Sequence, residues 1–559
     1  MARILDTKTG RAFRARNIIV FLLLILFLNA LLTLYRLIPA GTILPGLLLT
    51  PEPPAALLLL WLLSRRSAGW MQTGRFALGS VLALLFLFGL GEAFYQAVYL
   101  EDFTPLSDLR FVPAFFNMVL STEAFSSRVV MGLAVLVAVS GVAVILSLLL
   151  GAAARSVTGK GRIVAALLLL VWSGASVAVS SRPPLSVLFV RQLLPGGTAP
   201  APQAAPPRPQ ASVPQAPSAD GGKYALPGIE DADIHLFVVE SYGHTLFSRE
   251  AHRTLIMPVY RELERKLEAS GYHVISSFVK SPAFGGRSWL ADATILTGVW
   301  AKNQAVYDAL FDGNHTSLVM DLKEAGYNTL LAAPGTTVME DAWHALFPYD
   351  RALLQDDYNY RGRRFSFGGG MTDQFILNTV RRFREQNYAS GSLLGQPGFY
   401  NYILVSSHVP FNVLPPYIEE WDRIGDGAVY YDYPRRIFDN NWLTGGEYPE
   451  GYTASIEYSL RVVTDYLIQY VGTRAVSLVM GDHQPRIPIS ERESTYLVPI
   501  HILSRDESLI SGFVPYGFQP GLTPDNPPPL RMDELRNMLM KVALTPRVAA
   551  SEKPDSGRR

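Results

Sequence analysis

Between Asn17 and Arg182 the chain is dominated by Leu, Ala and Val, and charge is confined mostly to short breaks. Five apolar stretches stand out, at about 18–37, 44–63, 76–98, 129–151 and 162–181, each near the roughly 20 residues that carry a helix across a bilayer. Pro51, Pro53 and Pro54 with Glu52 interrupt the second of them. The first lacks a convincing small-residue cleavage site and is followed by four more stretches, so it reads as a retained helix rather than a signal peptide.

The breaks give an orientation. Arg3, Lys8, Arg11, Arg14 and Arg16 precede the first stretch. Arg65, Arg66 and Arg75 fall between the second and third, and Arg155, Lys160 and Arg162 between the fourth and fifth. The break between the third and fourth instead carries Glu101, Asp102, Asp108 and Glu123. Basic residues stay cytoplasmic. The amino terminus is therefore expected inside, and an odd number of spans puts the rest of the chain outside the cytoplasmic membrane. Glu92 lies within the third stretch, where a carboxyl group must be buried, paired or close to the interface. It could line a lipid-headgroup path or sit near the outer surface. The residues Phe103, Leu109, Phe111, Phe115 and Phe116 form an amphipathic loop that could lie on that surface or pack against the soluble part.

From Pro195 to Pro217 the chain is almost wholly Pro, Ala, Gln and Ser, a composition that cannot bury enough apolar surface to fold. We take 1–183 as a membrane domain, 184–228 as a semi-extended linker, 229–515 as a globular domain and 516–559 as a tail. All nine histidines, from His235 to His501, lie in the globular part. A formal net charge of +1, with no basic patch among aromatics, gives no case for nucleic acid. The absence of cysteine excludes disulfides, thiolate metal sites and cysteine nucleophiles.

Within the globular part, strand-like runs at 233–239, 273–279, 328–332, 400–406 and 475–480 alternate with helical patterns. The helices are expected at about 252–270, 288–297, 317–325, 371–387 and 452–470, with Asp373 a candidate cap. Such alternation predicts an α/β fold with a mainly parallel sheet, whose site lies at the carboxyl ends of the strands. Glu240, His408 and Asp482-His483 all follow strand-like runs. Each alone has a plain structural reading: a strand terminus, a satisfied core histidine, a turn. Glu240, Asp482 and His483, three metal-type ligands at the strand ends of one domain, point instead to a divalent metal. Gly285-Gly286-Arg287-Ser288 then leads from a glycine-rich loop into an apolar helix. Ser288 is either a helix cap or a nucleophile placed where free amides favour an anion.

Taken together, these residues resemble the alkaline phosphatase/sulfatase superfamily, in the branch of lipoteichoic acid synthase and related phosphoglycerol transferases. The motifs that carry the resemblance are Phe237-Val238-Val239-Glu240-Ser241-Tyr242, Gly285-Gly286-Arg287-Ser288, Ser407-His408-Val409-Pro410-Phe411 and Gly481-Asp482-His483. The resemblance implies five transmembrane helices joined to an external sulfatase-like domain with one divalent ion, Mn2+ in that branch, Zn2+ or Mg2+ being alternatives. It implies Glu240, Ser288, Asp482 and His483 as ligands and Ser288 as the nucleophile, where synthases use threonine. His408 and Arg287 would contact the transferred phosphate. Headgroup contacts would fall near Glu340-Asp341-Ala342-Trp343-His344, a stretch that departs from the pattern and leaves Trp343 a candidate.

Two branches of the superfamily fit less well. Ser288 is followed by Trp289-Leu290-Ala291-Asp292, outside the context in which sulfatases form formylglycine. Val239-Glu240-Ser241 and the lack of cysteine depart from phosphoethanolamine transferases. The implied activity is transfer of a phospholipid headgroup phosphate, phosphoglycerol from phosphatidylglycerol, to an envelope acceptor such as a glycan. Phosphoethanolamine transfer, a tethered phosphodiesterase or phosphatase using water, and a non-catalytic sensor or scaffold are the competing readings.

Overall fold

The computed structural model describes residues 2–33, 50–65, 67–98, 103–108, 125–159, 161–179, 184–193, 225–229, 232–365, 370–389, 396–438, 449–487, 489–491, 495–525 and 527–546. The chain divides into two compact units, Met1–Ala204 and Ala205–Arg559.

The first unit is helical: α1 (Ala2–Thr33), α2 (Glu52–Ser64), α3 (Ala68–Val98), α4 (Phe125–Ser156), α5 (Gly161–Val179) and the short α6 (Leu185–Leu193). Among the described residues three helices are long and apolar enough to cross a membrane, within Arg16–Thr33, Gly69–Gln96 and Val137–Ser156. The other two expected spans appear as the shorter apolar helices Glu52–Ser64 and Gly161–Ser176. Residues 34–49 and 180–183, which hold parts of the first, second and fifth predicted spans, lie outside the described residues, as do 109–124 of the amphipathic loop. Leu28, Leu57, Leu60 and Leu150 are buried between the helices. Leu23, Val137 and Val171 point outward, an apolar exterior of the kind lipid solvates.

Two acids of this unit's helices, Glu52 and Glu92, are engaged with backbone. Glu52 Oε1 accepts from the Ser186 amide (2.8 Å) and hydroxyl (2.9 Å), capping the start of α6. Glu92 is buried, and its Oε2 accepts from the Phe103 amide at 2.8 Å while Oε1 accepts from Gln96 at 3.3 Å. These contacts give Glu92 a structural role beside the two placements its sequence position suggested.

The second unit is built on a mixed sheet. Its strands are β1 (Asp233–Val239), β2 (His273–Lys280), β3 (Asn328–Ala333), β4 (Arg351–Leu354), β5 (Gly398–Leu404), β6 (Ala475–Gly481) and β7 (Leu497–Ser504), with the two-residue strands β8 (Gln519–Pro520) and β9 (Leu530–Arg531). Strands β6, β1, β5, β3 and β4 are neighbours in that order and run parallel. Beyond β6 the pairings of β7 with β6, of β2 with β7 and of β8 with β2 are antiparallel, so the sheet is less uniform than the sequence suggested. The helices that matter below are α7 (Glu250–Ala269), α8 (Ser288–Thr297), α9 (Asp341–Leu346), α10 (Asp373–Ala389), α11 (Pro449–Tyr470) and α12 (Leu535–Leu544).

Strand alternation divides the core. Phe237 and Val239 join one cluster, with α7, α10 and α11 packed over it. Ile234, Leu236 and Val238 join the other, under α8 and α12. Residues after 515, expected to form a tail, instead add β8 and β9 to the edge of β2 and bury Leu535, Met538 and Leu539 of α12 in the second cluster. The end of the predicted linker is likewise part of this unit: Leu226 and Ile229 are buried there, and the Gly228 amide donates to Ala543 O at 2.8 Å. For α12 the apolar pattern supplies the reason, because an amphipathic helix needs a surface to cover.

Phe237 is fully buried and lies parallel to the Tyr402 ring at 4.5 Å, centrally between β1 and β5. Phe237→Ala should cost about 3–5 kcal/mol by removing the ring and leaving a cavity. A shift in the chemical-denaturation midpoint of the full chain in detergent would measure it, and an unchanged midpoint would contradict this packing.

Candidate metal centre and serine nucleophile

Register places the site. Val239 at the end of β1 pairs with Leu404 of β5 on one side and Gly481 of β6 on the other. The residues that follow these strands, Glu240, Val405 to His408 and Asp482-His483, therefore leave the sheet at one level. Close approach there requires glycine at 481, where a Cβ would lie 1.9 Å from Tyr242 O.

Glu240, Asp482 and His483 are all buried, and each offers a ligand atom within 4.8 Å of the others. His483 Nε2 is 3.3 Å from Glu240 Oε1 and 3.4 Å from Asp482 Oδ2. His483 Nδ1 donates to the Gln484 carbonyl at 2.8 Å, which leaves Nε2 facing the carboxylates, where it holds a proton or would hold a metal in the proton's place. Asp482 Oδ1 accepts from the amides of Ser241 (2.8 Å) and His483 (2.6 Å). The Ser281 hydroxyl donates to Asp482 O at 2.6 Å.

Ser288 joins this group. Its hydroxyl donates to Glu240 Oε2 at 2.9 Å and lies 3.3 Å from His483 Nε2. It opens α8, so its neighbourhood includes amides with no partner inside the helix. The approach is a run of left-handed backbone: Gly285 (φ 69°), Gly286 (φ 148°) and Arg287 (φ 64°). Glycine takes such angles freely, whereas Arg287 holds one at a cost of order 1–2 kcal/mol, a strain typical of functional turns.

The charges fit a cation. Burial alone would raise the Glu240 carboxyl, but His408 and His483 outweigh it and hold it well below the usual carboxylate range. Burial and then Glu240 push Asp482 up to about 7. His483 goes up to about 9 because Asp482 and Glu240 overcome the opposing effect of burial. Two buried carboxylates thus draw a positive charge onto the imidazole, and a divalent ion would answer the same demand with the hard oxygen and imidazole donors Zn2+, Mn2+ and related ions accept.

His408 follows β5 and is half-buried. Its Nδ1 donates to Val409 O at 2.7 Å, and it is among the groups that lower the Glu240 carboxyl. Arg287 stands directly before the serine. Trp343, on α9, packs against Phe347 (4.7 Å between centroids) and stacks on Tyr349 (6.1 Å). Its described contacts thus run to those rings rather than to the metal-type trio.

Sequence reasoning missed Asp292 and Tyr452. Asp292 lies one turn beyond Ser288 on α8; its Oδ1 is buried and has no hydrogen-bond partner among the described residues. Burial, then Asp482 and Glu240, push this carboxyl well above the usual range. Tyr452, on α11, donates to Ser241 O at 2.8 Å and accepts from the Gly243 amide at 3.3 Å. It thereby braces the turn after Glu240, in which Ser241 has φ 57°. The Ser288 position four residues before an acid was visible; that α11 would meet this turn was not.

No protein-family model matches the chain, and no curated protein matches it by sequence. Solved structures give weak matches. The lipoteichoic acid synthase LtaP from Listeria monocytogenes is 14% identical, covers 50% of this chain and 66% of its own, and has a TM-score of 0.35. An alkaline phosphatase superfamily protein from Vibrio parahaemolyticus gives 16%, 58%, 70% and 0.38 for the same measures. Streptococcus pyogenes phosphoglycerol transferase GacH, in complex with sn-glycerol-1-phosphate, gives 13%, 58%, 82% and 0.34. The chemistry of the site therefore rests on its own residues.

Tyr452→Phe keeps the ring and removes both hydrogen bonds to the turn. It should weaken Mn2+ binding by about 10-fold, the scale on which supporting groups act on a metal ligand. Titration calorimetry on the full chain would read this, and unchanged affinity would remove Tyr452 from the support of the site.

Proposed function

We propose that this protein is a membrane-anchored phosphotransferase that moves a phospholipid headgroup phosphate, phosphoglycerol from phosphatidylglycerol, to an extracytoplasmic glycan acceptor through Ser288. The observation that carries this reading is the serine hydroxyl hydrogen-bonded to one carboxylate of a buried Glu–Asp–His trio. A divalent ion held by Glu240, Asp482, His483 and Ser288, Mn2+ by the family resemblance, would lower the serine pKa and offset charge on the phosphate.

The residues divide the work. Ser288 Oγ attacks phosphorus as its proton passes toward Glu240 Oε2, the group to which it donates. The bond from phosphorus to the lipid glycerol oxygen breaks, that oxygen takes up the proton that Glu240 received, and diacylglycerol leaves. An acceptor hydroxyl then attacks phosphorus, the Ser288–phosphorus bond breaks, and the acceptor's proton returns to the serine. His408 and Arg287 bind the phosphate oxygens, aided by amides at the start of α8. The predicted topology gives this site its substrate: five spans with the amino terminus inside, and a Pro-rich linker that tethers the second unit on the outer side.

Ser288→Ala should reduce diacylglycerol release from labelled phosphatidylglycerol by about 10³-fold or more with an unchanged melting temperature. Mass spectrometry of Ser288 after exposure to lipid should show a phosphoglycerol adduct; normal turnover in the variant would refute the mechanism. Running the assay with and without candidate glycans separates transfer from hydrolysis.

The chain's lack of cysteine makes topology easy to probe. A membrane-impermeant maleimide should label Ser218→Cys in intact cells and Ser67→Cys only after lysis. The opposite pattern would overturn the orientation.

A further inference from the structure

The loop that carries His408 is held by a group with no part in the reaction scheme. Asp373 is fully buried at the start of α10. Its Oδ1 accepts from the amides of Val405 (2.8 Å) and Ser406 (2.9 Å), and its Oδ2 accepts from the Ser459 hydroxyl at 2.6 Å. Its own amide donates to Ser406 Oγ at 2.8 Å. Four hydrogen bonds thus join one residue to the loop and to α11.

This is not helix capping. The cap of α10 is Thr372, whose Oγ1 accepts from the Phe375 amide at 3.1 Å, so the Asp373 carboxylate is free to turn inward. What it meets is the end of β5, where the Val405 and Ser406 amides leave the sheet and need acceptors. From there the chain closes a tight turn, the His408 amide donating to Val405 O at 3.1 Å. Within the same turn the Ser407 hydroxyl donates to Glu240 O at 2.6 Å, and the Glu240 amide donates to Leu404 O at 3.3 Å. A displacement at Val405 would therefore move His408 directly, while the Glu240 carboxylate keeps its contacts with the Ser241 hydroxyl (2.9 Å), the Ser288 hydroxyl (2.9 Å) and His483 Nε2 (3.3 Å).

We propose that Asp373 is a positioning residue that fixes the 405–408 turn and so aims His408 at the reacting phosphate. This rests on the role given to His408 above and adds the device that sets it. A negative charge suits the task because one carboxylate oxygen takes two amide donors and the other still takes a hydroxyl. Asparagine can keep the Oδ1 contacts, whereas alanine keeps none.

The test is a double-mutant cycle on the full chain in detergent, with headgroup release from phosphatidylglycerol and Mn2+ affinity read in parallel. Asp373→Ala should lower turnover by about 10–100-fold with Mn2+ affinity unchanged. Asp373→Asn should recover most of that loss. His408→Ala should lower turnover in the native background but add little in the Asp373→Ala background, because both changes remove one interaction. Losses that multiply, an asparagine variant no better than alanine, or a His408→Ala variant with native turnover would each overturn the proposal. Ser288→Ala, run alongside, reports on the reaction itself. If it is inactive while Asp373→Ala matches the native protein, only the positioning role falls.

Discussion

Two carboxylates, Glu240 and Asp482, are kept side by side in a nearly dry edge of the sheet, and that arrangement is unfavourable unless something positive stands between them. Much of the second unit can be understood as holding that pair in place. Strand register brings them level, Gly481 lets the backbones approach, and amides of Ser241 and His483 take up one oxygen of Asp482. The imidazole of His483 is oriented by Gln484 so that its Nε2 faces the gap. A site that must be compensated is one that suits a cation, and Ser288 lies within hydrogen-bond reach of it, so the nucleophilic role proposed for it would come from position rather than from its own acidity.

The strand ends were legible because their signal is local. A run of apolar residues interrupted by an acid reads the same in sequence and in space, so Glu240, His408 and Asp482-His483 fall where the strands 233–239, 398–404 and 475–481 stop. Helix Ser288–Thr297 matches its sequence pattern for the same reason. What could not be read were contacts between segments far apart. Strand β7 is also an apolar run, but its antiparallel pairing with β6 and β2 is a fact of topology. Asp373 looked like a helix cap because Asp at a helix start usually is; the loop it grips lies 32 residues away for Val405. Asp292 and Tyr452 likewise carry no pattern of their own.

The membrane unit shows a related limit. Hydropathy finds apolar helices well, yet it says nothing of what a buried acid does. Glu52 and Glu92 each serve backbone amides beyond their own helices, Ser186 and Phe103 respectively. In an apolar bundle such an amide lacks water, so a carboxylate partner is worth more there than on a wet surface. Both acids are thus explained by local folding needs.

The clasp between Gly228 and Ala543 bears on mechanical load. Any pull from the proposed tether would enter the second unit just ahead of β1, where it would be shared with the last helix rather than borne by one strand. The seven residues of β1 separate that entry point from Glu240, a distance of about 20 Å along the strand. Tension in the leash therefore arrives at the rim of the sheet remote from the serine. Thermal tugging from the predicted membrane helices would then strain that entry point while the strand ends that carry Glu240 stay quiet.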